Sequence, residues 1–409
     1  MSAKDFQQQA GGEGWRVLDG APHAWFEAPS HSTGASLVER LAGSTDGFVL
    51  PDMDLRPTGI GVRLGGHGEP EARRAGAIST IARELGLAPD PSVLQVTGLA
   101  IDATDPEELV PFWRTVFAYH EDGERRLSDP LRRDPAIVFH KDDEIRPLRN
   151  RLHIDVGRPP EEVASAVAEL RQTPSGPYGL MVSDDAGNEV DLVPGGPIST
   201  APEVADWRAP FAAMVFYPTP KVEHAAALVT RVAGLADDAA IPLLVDIRAE
   251  GVTIDSGKDL WEGEDGALPA FTDLASKIQA YARDLGLAAD PARVRFMQVA
   301  LDLVDLPSVR EFWKSVLGYE PDPREGVVDL FDPRRLNPVL IFQRMDESDE
   351  DRRRQRDRIR LVLSVPDDQL QPRIDTAVAA GGKVLRSSDG LTRVSDPEGN
   401  ELDLVGLSP

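Results

Sequence analysis

The chain has 409 residues, with 44 Lys and Arg against 69 Asp and Glu, a formal charge of −25. A surface that acidic repels phosphate backbones and anionic headgroups, which excludes nucleic acid and membrane surfaces as partners. There is no cysteine, so disulfides, thiolate metal sites and cysteine nucleophiles are ruled out. Hydrophobic residues at 41% and charged residues at 28% are the usual mix of folded domains, and this length suggests two to four of them at roughly 100–200 residues each.

The N-terminal MSAKDFQQQAGG lacks the basic and apolar regions of a signal peptide, and no run reaches the eighteen or so apolar residues of a spanning helix. A cytoplasmic protein with a flexible tail over residues 1–13 is expected. In residues 54–66, Ile60, Val62 and Leu64 alternate with Gly61 and Arg63, which predicts a short strand. Residues 69–87 follow with Ala75, Ile78, Ile81, Ala82 and Leu85 near helical spacing. VTGLAIDATD (96–105) alternates as a strand with one face for a helix and the other for a concave surface. A helix carrying Phe112 and Trp113 comes next, then strands near 125–127 and 136–140. The pattern restarts with RLHIDV (151–156), a helix over 160–170 and closing strands around YGLMVSDD and NEVDLV.

The same series then recurs. ARELGLAPDP (82–91) matches ARDLGLAADP (282–291) at eight of ten positions, an offset of 282 − 82 = 200. At that offset Phe112, Trp113 and Tyr119 fall on Phe312, Trp313 and Tyr319. GNEVDLV (187–193) matches GNELDLV (399–405), and GASLVERLAGSTD (34–46) matches AAALVTRVAGLAD (225–237), the drift in offset marking loop insertions. Each half divides again after its LGLAPDP or LGLAADP segment, giving A1 (14–91), B1 (92–195), a Pro/Gly-rich linker (196–206), A2 (207–291) and B2 (292–409). The tryptophans read as core, and DESDEDRRRQRDRIR (346–360) reads as a solvated loop whose charges balance.

B1 and B2 resemble the vicinal oxygen chelate superfamily in its glyoxalase-like branch, through the FW(R/K)…Y helix, the NRLHIDV strand and the DPEGNELDLV ending. A1 and A2 resemble the pterin-4a-carbinolamine dehydratase fold, through LPDMDLRPTGIGVRL and the Ala-rich helix after it. The two resemblances imply an α+β protein, a tandem duplication in which each half is a small dehydratase-like unit followed by a βαβββ-type glyoxalase-like module. They also imply that B1 and B2 pair within the chain as a pseudo-dimer, so that the protein is a monomer or else a homodimer.

Carbinolamine dehydration needs acid and base groups near neutrality, which suits imidazoles. The dehydratase motif position reads Val49-Leu50-Pro51-Asp52, without its two histidines. His67 falls near the third histidine and is the one catalytic candidate, while A2, near Ala240-Ile241-Pro242, should be inert. The glyoxalase-like ligand positions read Gly98, His153 and Asp191 in B1 and Gln298, Arg360 and Asp403 in B2, with His140 and Gln343 ending the fourth strands. Neither set is complete, so these residues are assigned to ligand binding, with no metal and no cofactor. A divalent metal is the lesser alternative. The function expected is a small-molecule-binding protein of the glyoxalase/bleomycin-resistance type with an aromatic or heterocyclic ligand. The alternatives are a dehydratase-type lyase and a metal-dependent lyase or dioxygenase at His140, His153 and Asp191.

Overall fold

A computed structural model describes residues 2–9, 14–44, 50–264, 266–388 and 390–406. Val49 therefore lies outside the described residues. The chain divides into two compact units, Met1–Leu94 with Pro194–Phe296 and Gln95–Val193 with Met297–Pro409. Like is grouped with like across the tandem halves, A with A and B with B.

The unit built from the B segments begins with β1 (Val96–Ala103), α1 (Pro106–Phe117), β2 (Arg126–Ser128) and β3 (Ile137–Lys141). The second motif of the same segment is β4 (Leu152–Arg158), α2 (Pro160–Leu170), β5 (Met181–Ser183) and β6 (Glu189–Pro194). The B2 segment supplies β7 (Phe296–Leu303), α3 (Leu306–Leu317), β8 (Leu330–Phe331), β9 (Val339–Arg344) and α4 (Glu350–Arg354). It ends with β10 (Ile359–Ser364), α5 (Asp367–Ala379), β11 (Lys383–Ser388), β12 (Leu391–Ser395) and β13 (Glu401–Val405).

These strands do not form one sheet per segment. One sheet runs β11-β12-β13-β10-β1-β3-β2, closed by the short strand His120–Glu121. The other runs β5-β6-β4-β7-β9-β8, closed by Glu320–Pro321. Each sheet thus takes one motif from B1 and one from B2. In the first seam β10 runs antiparallel to β1, with Ile359 opposite Ile101 and Val362 opposite Gly98. Alternation then sorts the side chains. Leu99, Ile101, Ile137 and Phe139 join Phe112, Trp113 and Val116 in the core, and Val299, Leu301 and Leu340 join Phe312, Trp313 and Val316. Both tryptophans are core residues as expected, and each indole N–H is matched inside it: Trp113 Nε1 donates to Asp184 at 2.9 Å and Trp313 Nε1 to Asp396 at 3.0 Å.

The unit built from the A segments is a single eight-stranded sheet. Its two halves meet where Asp52–Arg56 lies antiparallel to Leu244–Arg248, with Asp54 opposite Asp246. Arg56 Nη2 donates to Asp246 and Arg248 Nη2 to Asp54, both at 2.8 Å, so charge is exchanged across the seam. On the helical side His31–Ala42 packs on Val222–Ala239. Residues Ala3–Gln9, expected within a flexible tail, form a helix with Phe6 fully buried. Burying one aromatic side chain is enough to order so short a segment.

Helices α1 and α3 end at equivalent positions, where the chain turns left-handed at Ala118 (φ 50) and Gly318 (φ 65). An L side chain strains that conformation by about 1 kcal/mol, which glycine avoids. Ala118→Gly is therefore expected to stabilise the protein by about 1 kcal/mol, raising the melting midpoint by roughly 2–4 °C. Gly318→Ala should lower it by a similar amount, and thermal unfolding followed by circular dichroism reads both.

Candidate functional site

The exchanged strands regroup the residues that the sequence placed in separate sets. Gly98, Arg360 and Asp403 share a sheet with His140, while Gln298 joins His153 and Asp191 in the sheet that carries Gln343. The sets read module by module, Gly98 with His153 and Asp191 and Gln298 with Arg360 and Asp403, are corrected by this order. The cause is that β1 pairs with β10 rather than with β4, which is a long-range choice. On each sheet the alternate residues left over from the core form a polar face, here called its cup.

The cup containing Arg360 is filled by ion pairs. Arg360 Nη1 donates to Asp102 at 2.6 Å and its Nε to Asp403 at 2.8 Å. Arg393 donates from Nε and Nη2 to the same Asp403, at 2.6 and 2.8 Å. Arg146 reaches Asp102 at 3.3 Å, and Arg356 Nε donates to Glu401 at 2.8 Å. Burial alone would raise Asp403, yet the donors on Arg393 and Arg360 hold it below the usual carboxylate range. Its acceptor capacity is spent on arginines. Opposite Gly98 stands Val362, which offers no ligand atom. His140 is exposed at the end of β3, beside Asp102, and its basicity is lowered by burial and then by Arg360.

The other cup is built from acceptors. His153, Asp155 and Asp191 present one ligand atom each within 4.8 Å of one another. His153 and Asp155 are two residues apart on β4, hence on one face, and His153 Nε2 is 3.7 Å from Asp155 Oδ1. Gln298 on the neighbouring β7 donates through Nε2 to Asp155 Oδ2 at 2.7 Å. That bond aims the amide and leaves Gln298 Oε1 buried without a hydrogen-bond partner, as is His153 Nδ1. Burial, aided by Arg149 and Arg352 and opposed by the charge of Asp302, pushes the His153 pKa down to about 4, so the imidazole is neutral at pH 7. Burial also raises Asp191. Gln343 is exposed, in register with Asp302.

A neutral imidazole, two carboxylates and an amide oxygen form a donor set that suits a divalent cation. An orphaned buried polar atom costs about 1–3 kcal/mol, and Gln298 Oε1, next to the amide nitrogen bonded to Asp155, is such an atom beside the cluster. The residues present therefore fit a metal. Asp155 was missed in the sequence, although the period-2 pattern of RLHIDV puts it on the same face as His153.

The arginine-rich run 346–360 is a solvated loop only in its first part, where residues 346–351 are exposed. It contains α4 and enters β10, and Arg358 and Arg360 are buried. Arg358 donates to Asn188 Oδ1 at 2.9 Å and Gly187 O at 3.0 Å, while Arg352 pairs with Asp302. Alternating Arg356, Arg358 and Arg360 reach acceptors in the strands they cross, and those acceptors belong to B1 as well as B2. His67 is half-exposed on its loop, with Nδ1 3.3 Å from Gly20 O. Among the described residues no second imidazole is hydrogen-bonded to it.

Residues 98–193 and 298–405 match the model of the glyoxalase-like domain family, so each of the two segments is a glyoxalase-like domain. The match leaves the dehydratase-like resemblance of A1 and A2, and the dehydratase reading at His67, without support. Among solved structures, glyoxalase I from Zea mays aligns over 76% of this chain and 93% of its own, at 11% identity and TM-score 0.35. The cppA protein from Streptococcus pneumoniae TIGR4 aligns over 76% and 97%, at 9% identity and TM-score 0.33. A glyoxalase-related enzyme from Fulvimarina pelagi aligns over 26% and 86%, at 21% identity and TM-score 0.20. No curated protein matches the chain. No helix among the described residues is long and apolar enough to cross a membrane.

Because Arg360 neutralises two buried carboxylates, its removal is expected to act on stability. Arg360→Met should cost about 3 kcal/mol in urea unfolding, since breaking one partner of a buried ion pair strands the other. It should leave ligand binding in the opposite cup intact.

Proposed function

We propose that this protein is a small-molecule-binding protein of the glyoxalase/bleomycin-resistance type with one working cup, the one formed by β4–β6 and β7–β9. In it His153, Asp155, Asp191 and Gln298 hold a divalent cation, and the bound molecule contributes oxygen donors of its own. The observation that carries this reading is the convergence of His153, Asp155 and Asp191 within 4.8 Å, beside an amide oxygen with no partner. A cation bound there supplies Lewis acidity, polarising the oxygens of the ligand.

The chain's own residues do the positioning. Asp155 takes the Gln298 amide hydrogen and so fixes which end of that amide faces the cup. Desolvation keeps the His153 lone pair free of a proton at neutral pH. The assignment of His153, Asp191 and Gln298 to ligand binding is retained from the sequence, Asp155 is added, and the metal-free pocket is replaced. Arg360 and Asp403 lie in the cup closed by ion pairs and are assigned to stability, while His140 stands exposed at the end of β3.

Isothermal titration of chelator-treated, full-length protein with Mn²⁺ tests the reading. One Mn²⁺ per chain is expected, with affinity lowered at least about tenfold in His153→Gln, as removal of a ligand requires, and unchanged in Arg360→Met. Absence of Mn²⁺ uptake by the unmodified protein, or equal uptake by His153→Gln, overturns it.

A further inference from the structure

Each cup carries the same clamp at its rim. In one, Arg356 Nε donates to Glu401, the first residue of β13. In the other, Arg149 Nε donates to Glu189, the first residue of β6. The two clamps differ in what the rest of the guanidinium does. Arg356 spends its terminal nitrogens on Glu144 at 2.6 Å and Glu401 at 3.5 Å, with Asp102 3.7 Å away. Arg149 makes no contact beyond Glu189 through its side chain, so its Nη1 and Nη2 meet no acceptor among the described residues.

The location of that uncommitted fork is fixed by the strand. Glu189 and Asp191 are two apart on β6 and lie on the same face, since Val190 and Leu192 between and beyond them are core. Two residues along one strand face span about 7 Å. The Arg149 guanidinium is thus held one side-chain row from the acceptor cluster, and its side chain is 46% exposed, open to a solute at the rim. A guanidinium with two free parallel N–H donors is built for a carboxylate, which it binds through both oxygens or through one. Asp191 and Asp155 would repel such an anion unless a cation stood between them, which is why the inference rests on the metal reading above.

We propose that Arg149 is the specificity-determining residue of the working cup, selecting molecules that carry a carboxylate next to a second oxygen donor, the class of 2-oxo and 2-hydroxy carboxylic acids. The second oxygen and one carboxylate oxygen face the acceptor cluster and its cation, and the remaining carboxylate oxygen faces Arg149. A ligand with adjacent oxygens but no carboxylate lacks that last contact.

Two probes on the full-length, Mn²⁺-loaded protein separate the possibilities: oxalate, which carries the carboxylate, and catechol, which has adjacent oxygens without one. Calorimetry on the unmodified protein, Arg149→Gln and Arg149→Lys is expected to show oxalate binding weakened at least tenfold in Arg149→Gln and partly retained in Arg149→Lys. Catechol and Mn²⁺ affinities should stay within about twofold across all three, which also reports that the variants are folded. Oxalate binding that is unchanged in Arg149→Gln, or absent from the Mn²⁺-loaded unmodified protein, overturns the proposal while the metal reading stands. Equal losses for both probes overturn it in favour of a clamp that only shapes the rim. Failure of the unmodified protein to take up Mn²⁺ overturns the metal reading and this inference with it.

Discussion

The site exists because a strand of one glyoxalase-like segment pairs with a strand of the other. Asp102 N donates to Arg358 O and Asp302 N to Arg151 O, both at 2.8 Å, so each seam is tied by main-chain bonds between B1 and B2. Two buried arginines reinforce the exchange in opposite directions. Arg358 holds the turn around Gly187 and Asn188, and Arg151 Nη1 donates to Glu398 O at 2.7 Å. A buried guanidinium bonded to main-chain carbonyls is stable only while those carbonyls stay in place. The seams therefore fix which four motifs face each other, and that choice brings Gln298 beside Asp155. Without it the amide and the imidazole would sit on different sheets.

From one duplicated scaffold the two cups reach opposite electrostatic solutions. The positions of His153, Asp155 and Gln298 are taken in the other cup by Arg360, Val362 and Gly98. A neutral imidazole is replaced by a fixed cation, and two polar side chains by valine and glycine. Asp191 and Asp403 occupy the same place on their strands and answer differently: burial raises Asp191, whereas Arg393 and Arg360 overcome burial and depress Asp403. A carboxylate satisfied by two arginines has nothing left for a metal, while one whose charged form is disfavoured by desolvation gains from a neighbouring cation.

The strands and helices of the B segments were legible because one face of each is apolar, at period 2 or 3.6. Val96–Ala103, Leu152–Arg158 and the tryptophan helices fall where the pattern put them. Asp155 was legible in principle, two residues after His153 on an alternating strand. What the sequence could not supply was the partner of each strand, because pairing between β1 and β10 joins residues more than 250 apart and leaves no local trace. The misreading of residues 346–360 has the same origin. A run of arginines looks solvated until the carbonyls and carboxylates that it meets are known, and these come from a segment some two hundred residues earlier.

Grouping A with A and B with B constrains how the chain can be divided. Asp52–Arg56 and Leu244–Arg248 complete one sheet, β1 and β10 a second, and β4 and β7 a third, and every one of these pairs joins the first half of the chain to the second. A half taken alone would expose three unpaired strand edges, with Arg56 deprived of Asp246, Asp54 of Arg248 and Asp102 of Arg360. Open edges of that length invite association, and stranded buried charges destabilise by several kcal/mol each. The two halves are therefore not independent units on a tether. Each carries strands that the other needs, and Arg360 and Arg393 brace a sheet that takes strands from both.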